Sequence, residues 1–144
     1  MDILLNKTIY RRLSTLFNKI GELFDIEEFD RTDDTTSFGF SIDLRTDQGL
    51  YNLEFYRVVK SPFKILDFTD KLEVSDYVLK YTDKSNHTVL FTLNFNVGRN
   101  RSLRVETENL TMKEVYEHFL EIEKVIDAEL SDVSVLENKF CGVL

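Results

Sequence analysis

The stretch 88–97 alternates between apolar and mostly polar side chains, which is typical of a β-strand with one buried face. A period of two places successive side chains on opposite faces of a strand. One face would carry Val89, Phe91, Leu93, Phe95 and Val97, and the other Thr88, Leu90, Thr92, Asn94 and Asn96. Five large apolar side chains on one face must be covered by other elements, so this strand is predicted to lie centrally in a sheet.

Two segments carry apolar residues at the three- and four-residue spacing of an amphipathic helix. The first, 3–24, has a stripe of Tyr10, Leu13, Phe17, Ile20 and Phe24, widened by Leu16 and Leu23. The second, 112–130, has a stripe of Met112, Val115, Phe119, Ile122, Ile126 and Leu130. Gly21 is a poor helix former, so the first helix is expected to fray there. Thr111 followed by Glu114 has the pattern of a capping box, which predicts that the second helix begins at 112.

Shorter alternating segments predict the other strands. They are 37–44, 50–59 and 77–81, with a short edge strand at 103–105. Asp47 and Gly49 in the loop between the first two predict a hairpin with the glycine in a left-handed bulge position. The segment 60–76 follows no consistent period and has no assignment. The tail 131–144 is apolar enough to be expected to pack back on the domain.

This order of elements predicts an α+β fold in a single domain, 1–144. The sheet would be antiparallel, with four to five strands, and the N- and C-terminal helices would pack on one face. The opposite face would stay in contact with water, because it carries Ser41, Asp43, Thr88, Thr92, Asn94 and Asn96.

The charge of the chain restricts the partners to be expected. Its 144 residues carry a formal net charge of −8, which disfavours direct binding to nucleic acid and permits a basic protein partner. The first residues lack the basic segment and apolar run of a secretory signal, and no stretch is apolar enough to span a membrane. We therefore expect a cytoplasmic protein that does not act at a membrane.

Two acidic segments are candidate surfaces for such a partner. The stretch 25–34 includes Asp33 and Asp34, with Ile26 and Phe29 as potential apolar anchors. On the second helix, Glu117 and Glu121 share a face at four-residue spacing. Charged stretches of both kinds also occur as plain solvated surface, which is the simpler interpretation.

The arginine-rich stretch 98–104 supports an alternative. Arg99, Arg101 and Arg104 present planar guanidinium groups that suit phosphate, and Tyr56 or Tyr81 would stack on the base of a nucleotide-like molecule. The simpler interpretation is a solvated edge at which the arginines pair with nearby glutamates. No phosphate-loop or dinucleotide fingerprint accompanies the cluster.

The sequence lacks a recognisable catalytic or metal-binding constellation. Its histidines are His87 and His118, its one cysteine is Cys141, and none of them is at a ligand or nucleophile–base spacing from another. We therefore expect no cofactor, no metal and no enzymatic activity.

The leading hypothesis is a non-enzymatic protein that occupies a partner's surface as an inhibitor, adaptor or chaperone. In element order, size and acidity the chain is similar to the small dimeric chaperones of type III secretion, and a homodimer is compatible with that resemblance. In composition it also looks like small accessory proteins of phages and mobile elements. No residue role is carried over from either.

Overall fold

The alternating segments form a six-stranded antiparallel sheet in which spatial order follows chain order. A computed structural model describes residues 3–31, 35–60, 74–96 and 103–143. The strands are β1 (Glu27–Arg31), β2 (Thr35–Thr46), β3 (Gly49–Lys60), β4 (Val74–Asp83), β5 (Thr88–Asn96) and β6 (Leu103–Glu106), and the helices are α1 (Ile3–Leu23) and α2 (Met112–Val143). The predicted α+β class, antiparallel sheet and terminal helices are confirmed. The predicted number of four to five strands is wrong, because the described part of the chain already contains six.

Both helices pack on the same face of the sheet. Phe17 of α1 contacts the rings of Phe40 and Phe55, with centroids 5.0 and 5.1 Å apart. His118 of α2 lies 5.7 Å from the ring of Tyr81 on that face. The two helices lie beside each other and are joined by two ion pairs, Arg12–Glu123 (3.3 Å) and Lys19–Asp127 (2.9 Å). The buried core between helices and sheet is the main source of stability.

The apolar stripes of the helices are largely as predicted, with corrections at both ends of α1. Ile9 is fully buried, whereas Tyr10 is only partly buried, and Phe24 lies past the helix end with 41% of its surface exposed. Gly21 does not end the helix, which continues to Leu23. The backbone hydrogen bond from Phe24 N to Ile20 O, 3.0 Å long, closes the last turn.

The prediction of a buried position is wrong for one residue of β5. Phe91, Leu93 and Phe95 are buried as expected, but Val89 is 43% exposed. The reason is a β-bulge, because Tyr81 pairs with Phe91 whereas the next residue, Thr82, pairs with Val89. The bulge adds one residue, Leu90, to β5. Residues of β5 that precede Leu90 therefore point to the face opposite the predicted one, because a one-residue change of register exchanges the two faces. Val97 lies outside the described residues.

The hairpin of β2 and β3 is confirmed, with a tighter loop than predicted. Thr46 pairs with Gly49, so only Asp47 and Gln48 lie between the strands. Gly49 has a φ of 149°, which lies outside the left-handed helical region that a bulge of the predicted kind uses.

Two segments differ more from expectation. The acidic connector 25–34 contains strand β1 rather than irregular chain alone. The second helix extends to Val143 instead of ending at 130, so the tail continues the helix as far as its backbone is described. No proline interrupts the sequence between Met112 and Val143, and its glycine, Gly142, stands at the end. Most of the unassigned segment, 61–73, lies outside the described residues.

The predicted capping box at the start of α2 is confirmed. The backbone N of Thr111 donates to Glu114 Oε1 (3.0 Å), and the backbone N of Glu114 donates to Thr111 Oγ1 (3.2 Å). The same reciprocal bond lowers the pKa of Glu114. Leu110 and Val115, which flank the box, belong to the apolar core and its margin.

We expect Thr111→Ala to lower the free energy of unfolding by about 1 kcal/mol, within the usual range of about 0.5–2 kcal/mol for a lost cap. Urea denaturation measures the change. Lys113→Ala, an exposed substitution in the same turn that leaves both cap bonds intact, is the control and should change stability by less than about 0.5 kcal/mol. Equal effects of the two substitutions would show that the cap contributes nothing specific.

Among the described residues, no helix is both long and apolar enough to cross a membrane.

Candidate functional site

The edge of β2 continues past the end of the strand beside it. β1 pairs with β2 only from Thr36 to Gly39. Residues 40–46 of β2 pair with β3 on one side. On the other side, none of the strands in the described part of the chain pairs with them. An uncovered strand edge presents backbone N–H and C=O groups that can accept another strand.

The register shows which backbone groups point toward this open edge. The carbonyl of Leu50 accepts a hydrogen bond from the backbone N of Lys84, 3.1 Å away, so Leu50 directs its groups toward β4. Alternate residues of an antiparallel strand face opposite neighbours, so Tyr51 faces β2, and its partner Leu44 faces β3. By the same alternation, Ser41 and Asp43 direct their backbone N–H and C=O groups away from β3.

A groove lies beside this edge. It has a volume of about 240 Å³ and is lined by Phe24, Asp25, Glu27, Phe40, Ser41 and Ile42. Phe24 and Ile26 are 41% and 45% exposed, which makes them two of the five large apolar side chains that are exposed in the described part of the chain. Such exposed apolar groups beside a groove are typical of a contact surface. We call the groove, with Ile26 and the open edge 40–46, the edge groove.

The edge groove is acidic. Asp25 and Glu27 line it, and neither forms an ion pair with another described residue. Two other acidic side chains, Asp43 and Asp47, lie close to lysines. Asp43 binds Lys84 at 2.7 Å, which lowers the pKa of Asp43, and Asp47 lies 3.8 Å from Lys124. The groove therefore carries negative charge that no described cation neutralises by an ion pair.

The first of the two predicted apolar anchors of this region, Ile26, is exposed, but the second is not free. Phe29 packs against Tyr56 of β3, with ring centroids 5.4 Å apart. Phe29 is the residue that a β-bulge leaves without a partner on β2, because the register shifts between Glu28 and Asp30. Phe29 thus stabilises the position of β1 on the sheet. Phe24, and not Phe29, is the second exposed apolar side chain beside Ile26.

Of the other predicted partner-binding residues, the structure describes Glu117 and Glu121, and neither lines this groove. Glu117 is exposed and Glu121 partly exposed on α2, in the same element as the capping Glu114. Asp33 and Asp34 lie outside the described residues. Their roles in partner binding stay predictions.

The described residues of the nucleotide hypothesis, Arg104, Tyr56 and Tyr81, make contacts of other kinds. Arg104 pairs with Glu106 at 3.2 Å, which is the simpler interpretation of this stretch, whereas Arg99 and Arg101 lie outside the described residues. Tyr81 is fully buried, and its ring already stacks on Tyr51 with centroids 4.8 Å apart. Tyr56 is partly buried against Phe29. This packing disfavours Tyr81 as a surface for a nucleotide base.

A cluster of rings under α2 holds two titratable groups whose pKa values burial shifts, Tyr81 and His118. Burial raises the pKa of Tyr81, whose hydroxyl has no hydrogen-bond partner among the described residues. Burial also lowers the pKa of His118, against the opposite effect of Glu114 and other nearby carboxylates. Neither side chain lines the edge groove or the second groove described next. Tyr81 is fully buried and His118 partly buried, so both side chains contribute to the packing of α2 on the sheet.

The second groove lies at the opposite edge of the sheet, where β6 pairs only with Thr92–Phe95. It has a volume of about 670 Å³ and is lined by Thr88, Val89, Thr92, Val105, Glu106, Thr107 and Glu108. Here the chain covers part of its own edge, because Thr107 Oγ1 donates to the carbonyl of Leu90 at 2.8 Å. In addition, Glu106 already pairs with Arg104. It is a weaker candidate than the edge groove for these reasons.

In the described part of the chain, no group of three or more His, Cys, Asp or Glu side chains could hold a metal ion. Comparison of the chain with protein-family models, with characterised proteins and with solved structures finds no match. The candidate site consequently rests on geometry and charge alone.

Sequence reasoning selected the acidic stretch that contains this site but missed its structure. The open edge of β2 depends on how short β1 is, and no local pattern determines where β1 stops pairing. The available signal was the run from Phe24 to Ile26, in which apolar side chains follow the helical stripe but flank a charged residue at the end of the helix.

Proposed function

We propose that the protein is a non-enzymatic binding protein that occupies the surface of a partner protein, as an inhibitor, adaptor or chaperone. The observation that carries the proposal is the edge groove, where Phe24 and Ile26 are exposed among carboxylates that lack ion-pair partners in the described chain. Exposed apolar groups surrounded by charge are typical of a docking surface whose centre supplies affinity and whose rim selects the partner.

The charge at the groove indicates the chemistry of the partner. Asp25 and Glu27 would meet lysine or arginine side chains, and Phe24 and Ile26 would meet an apolar residue between them. Complementary charge accelerates association and rejects acidic partners. The partner surface therefore combines basic residues with at least one exposed apolar side chain.

Site-specific photo-cross-linking from position 26 tests this proposal in an extract of the source organism. We expect capture of a partner through a segment rich in lysine or arginine, identified by mass spectrometry. Asp25→Lys with Glu27→Lys should abolish the capture, and in binding kinetics with that partner it should slow association about tenfold or more. The effect should weaken as salt rises, because exposed charges are screened over about 8 Å at physiological ionic strength.

Glu117→Lys with Glu121→Lys is the matched control, since it makes the same change of net charge on the surface of α2. It should leave capture from position 26 intact. If the α2 reversal abolished capture and the groove reversal did not, the partner surface would be the acidic helix. Capture of an acidic segment, or capture that both reversals leave unchanged, would contradict the proposal.

A further inference from the structure

We propose that the partner segment binds the edge groove as an added β-strand along residues 40–46. This inference rests on the proposed function and specifies its occupant as an extended peptide in which apolar residues alternate with basic ones. The segment would continue the line of β1 along the open edge, and would pair with β2 on the side opposite β3. Strand addition of this kind obtains affinity from main-chain hydrogen bonds and specificity from alternate side chains.

The hydrogen-bonding groups for such a strand are already directed outward. Ser41 and Asp43 point their backbone N–H and C=O groups away from β3, as the bond between Lys84 and Leu50 requires. Gly39 is the preceding residue of β2 whose backbone groups point away from β3, and it pairs with Glu27 of β1. Where β1 is present, the outward backbone groups of β2 therefore already pair with a strand. An incoming strand extends a ladder that the chain itself begins.

The alternating pattern of the occupant follows from the two faces of the edge. Side chains of an added strand would point alternately to the helix face and to the outer face. On the helix face they would meet Phe40 and Ile42, with Phe24 at the groove wall, which favours apolar residues. On the outer face Ser41 is exposed, and Asp25 and Glu27 supply negative charge nearby, which favours lysine or arginine. At about 3.3 Å per residue, a seven-residue segment would span about 23 Å.

A second copy of the chain suits this edge less well. Each copy carries a formal net charge of −8, so a second copy is repelled from the acidic groove. A basic peptide instead supplies the opposite charge. The strand-addition proposal therefore takes a partner segment as occupant, and self-association is one of the outcomes that its test can detect.

The test uses the full chain and a capped seven-residue peptide of alternating lysine and valine. Binding is followed by calorimetry and by hydrogen exchange of individual amides. We expect binding, with the amides of Ser41 and Asp43 exchanging at least about tenfold more slowly when the peptide is present. A peptide of alternating glutamate and valine, which has the same strand propensity pattern and the opposite charge, should not bind.

Two further peptides separate strand addition from simple charge attraction. One is N-methylated at every valine and the other at every lysine, so charge and side chains are unchanged. In an added strand only alternate residues direct their N–H groups to β2. One of the two peptides should therefore lose at least about tenfold in affinity, and the other should bind nearly as well as the parent.

Variants of the protein give the corresponding result. Ser41→Pro removes an N–H that faces the open edge, a position at which proline is tolerated in a strand, and should weaken binding at least about tenfold. Ser41→Ala keeps the N–H and should bind normally. Circular dichroism verifies that both are folded, and the N-methylated peptides decide the question if Ser41→Pro is not.

The outcomes also distinguish this inference from the proposed function. If both N-methylated peptides bind equally and Asp25→Lys with Glu27→Lys abolishes binding, the acidic docking surface stands and strand addition is wrong. No binding of the lysine–valine peptide at millimolar concentration overturns strand addition as well. Protection of Ser41 and Asp43 that rises with protein concentration, without peptide, would show that a second copy occupies the edge and would also overturn it.

Discussion

Phe91→Asp should leave the protein unfolded in the absence of denaturant. Phe91 is fully buried in the middle of β5, with its ring 5.5 Å from that of Tyr81 and 6.0 Å from that of His118. Removing a phenylalanine from a core costs about 3–5 kcal/mol. Burying a carboxyl group without a partner adds several more. Together these costs approach or exceed the whole stability of about 5–15 kcal/mol that is typical of a small domain.

Thr92→Asp is the matched control, because it introduces the same group one residue away on the opposite face. Thr92 is only partly buried, and it lies between Lys80 of β4 and Glu106 of β6 in the register. The attraction of one neighbour offsets the repulsion of the other, so the change should be within about 1 kcal/mol. Near-ultraviolet circular dichroism and thermal melting measure both variants. If both variants unfolded, the outer face of the sheet would also be buried, and the description of one helical layer on one sheet would be wrong.

Period-two patterns predicted the strands correctly because one face of the sheet is covered and the other is not. Leu53 and Phe55 are fully buried, whereas Ser41 and Asp43 are exposed. The pattern failed at Val89, since a bulge inserts a residue without changing the composition of the strand. A bulge depends on how two strands pair, and a single strand's sequence does not contain that information.

Two other differences have distinct physical causes. β1 was not predicted, because its charged residues resemble a solvated connector. It forms nonetheless because Phe29 packs on Tyr56, a contact between residues far apart in the chain. The end of α2 was misplaced although Val133, Leu136 and Phe140 continue the helical spacing after Leu130, and nothing in the sequence before Gly142 terminates a helix.

The candidate site was only partly accessible to sequence reasoning. Charge and apolar anchors in 25–34 are visible in the sequence, and they led to a basic partner. The open edge of β2 is not visible, because it follows from the lengths over which β1 and β2 pair. The same short β1 that leaves the edge open contacts Tyr56 of β3 through Phe29, and β2 lies between these two strands. Within β2, Gly39 lies directly against the backbone of β3.

Gly39→Ala should therefore have a large effect on stability. A Cβ atom at this position would lie 2.1 Å from the carbonyl oxygen of Phe55 and 2.4 Å from the Cα of Tyr56. Both are backbone atoms of β3, which cannot rotate away as a side chain can, so β2 and β3 would have to separate. Overpacking of flexible surroundings costs about 1–3 kcal/mol. Against rigid backbone we expect a loss of about 3 kcal/mol or more, measured as a lower midpoint of urea denaturation.

Gly21→Ala is the matched control and should have the opposite sign. Its Cβ would meet only the Cζ atom of Phe40, at an ordinary contact distance of 3.5 Å, and the residue is an exposed position within α1. Alanine is a better helix former than glycine by about 1 kcal/mol, so this variant should be more stable by up to that amount. The same methyl group would thus weaken the sheet and strengthen the helix. Equal destabilisation by both substitutions would contradict the close approach of β2 to the backbone of β3 at Gly39.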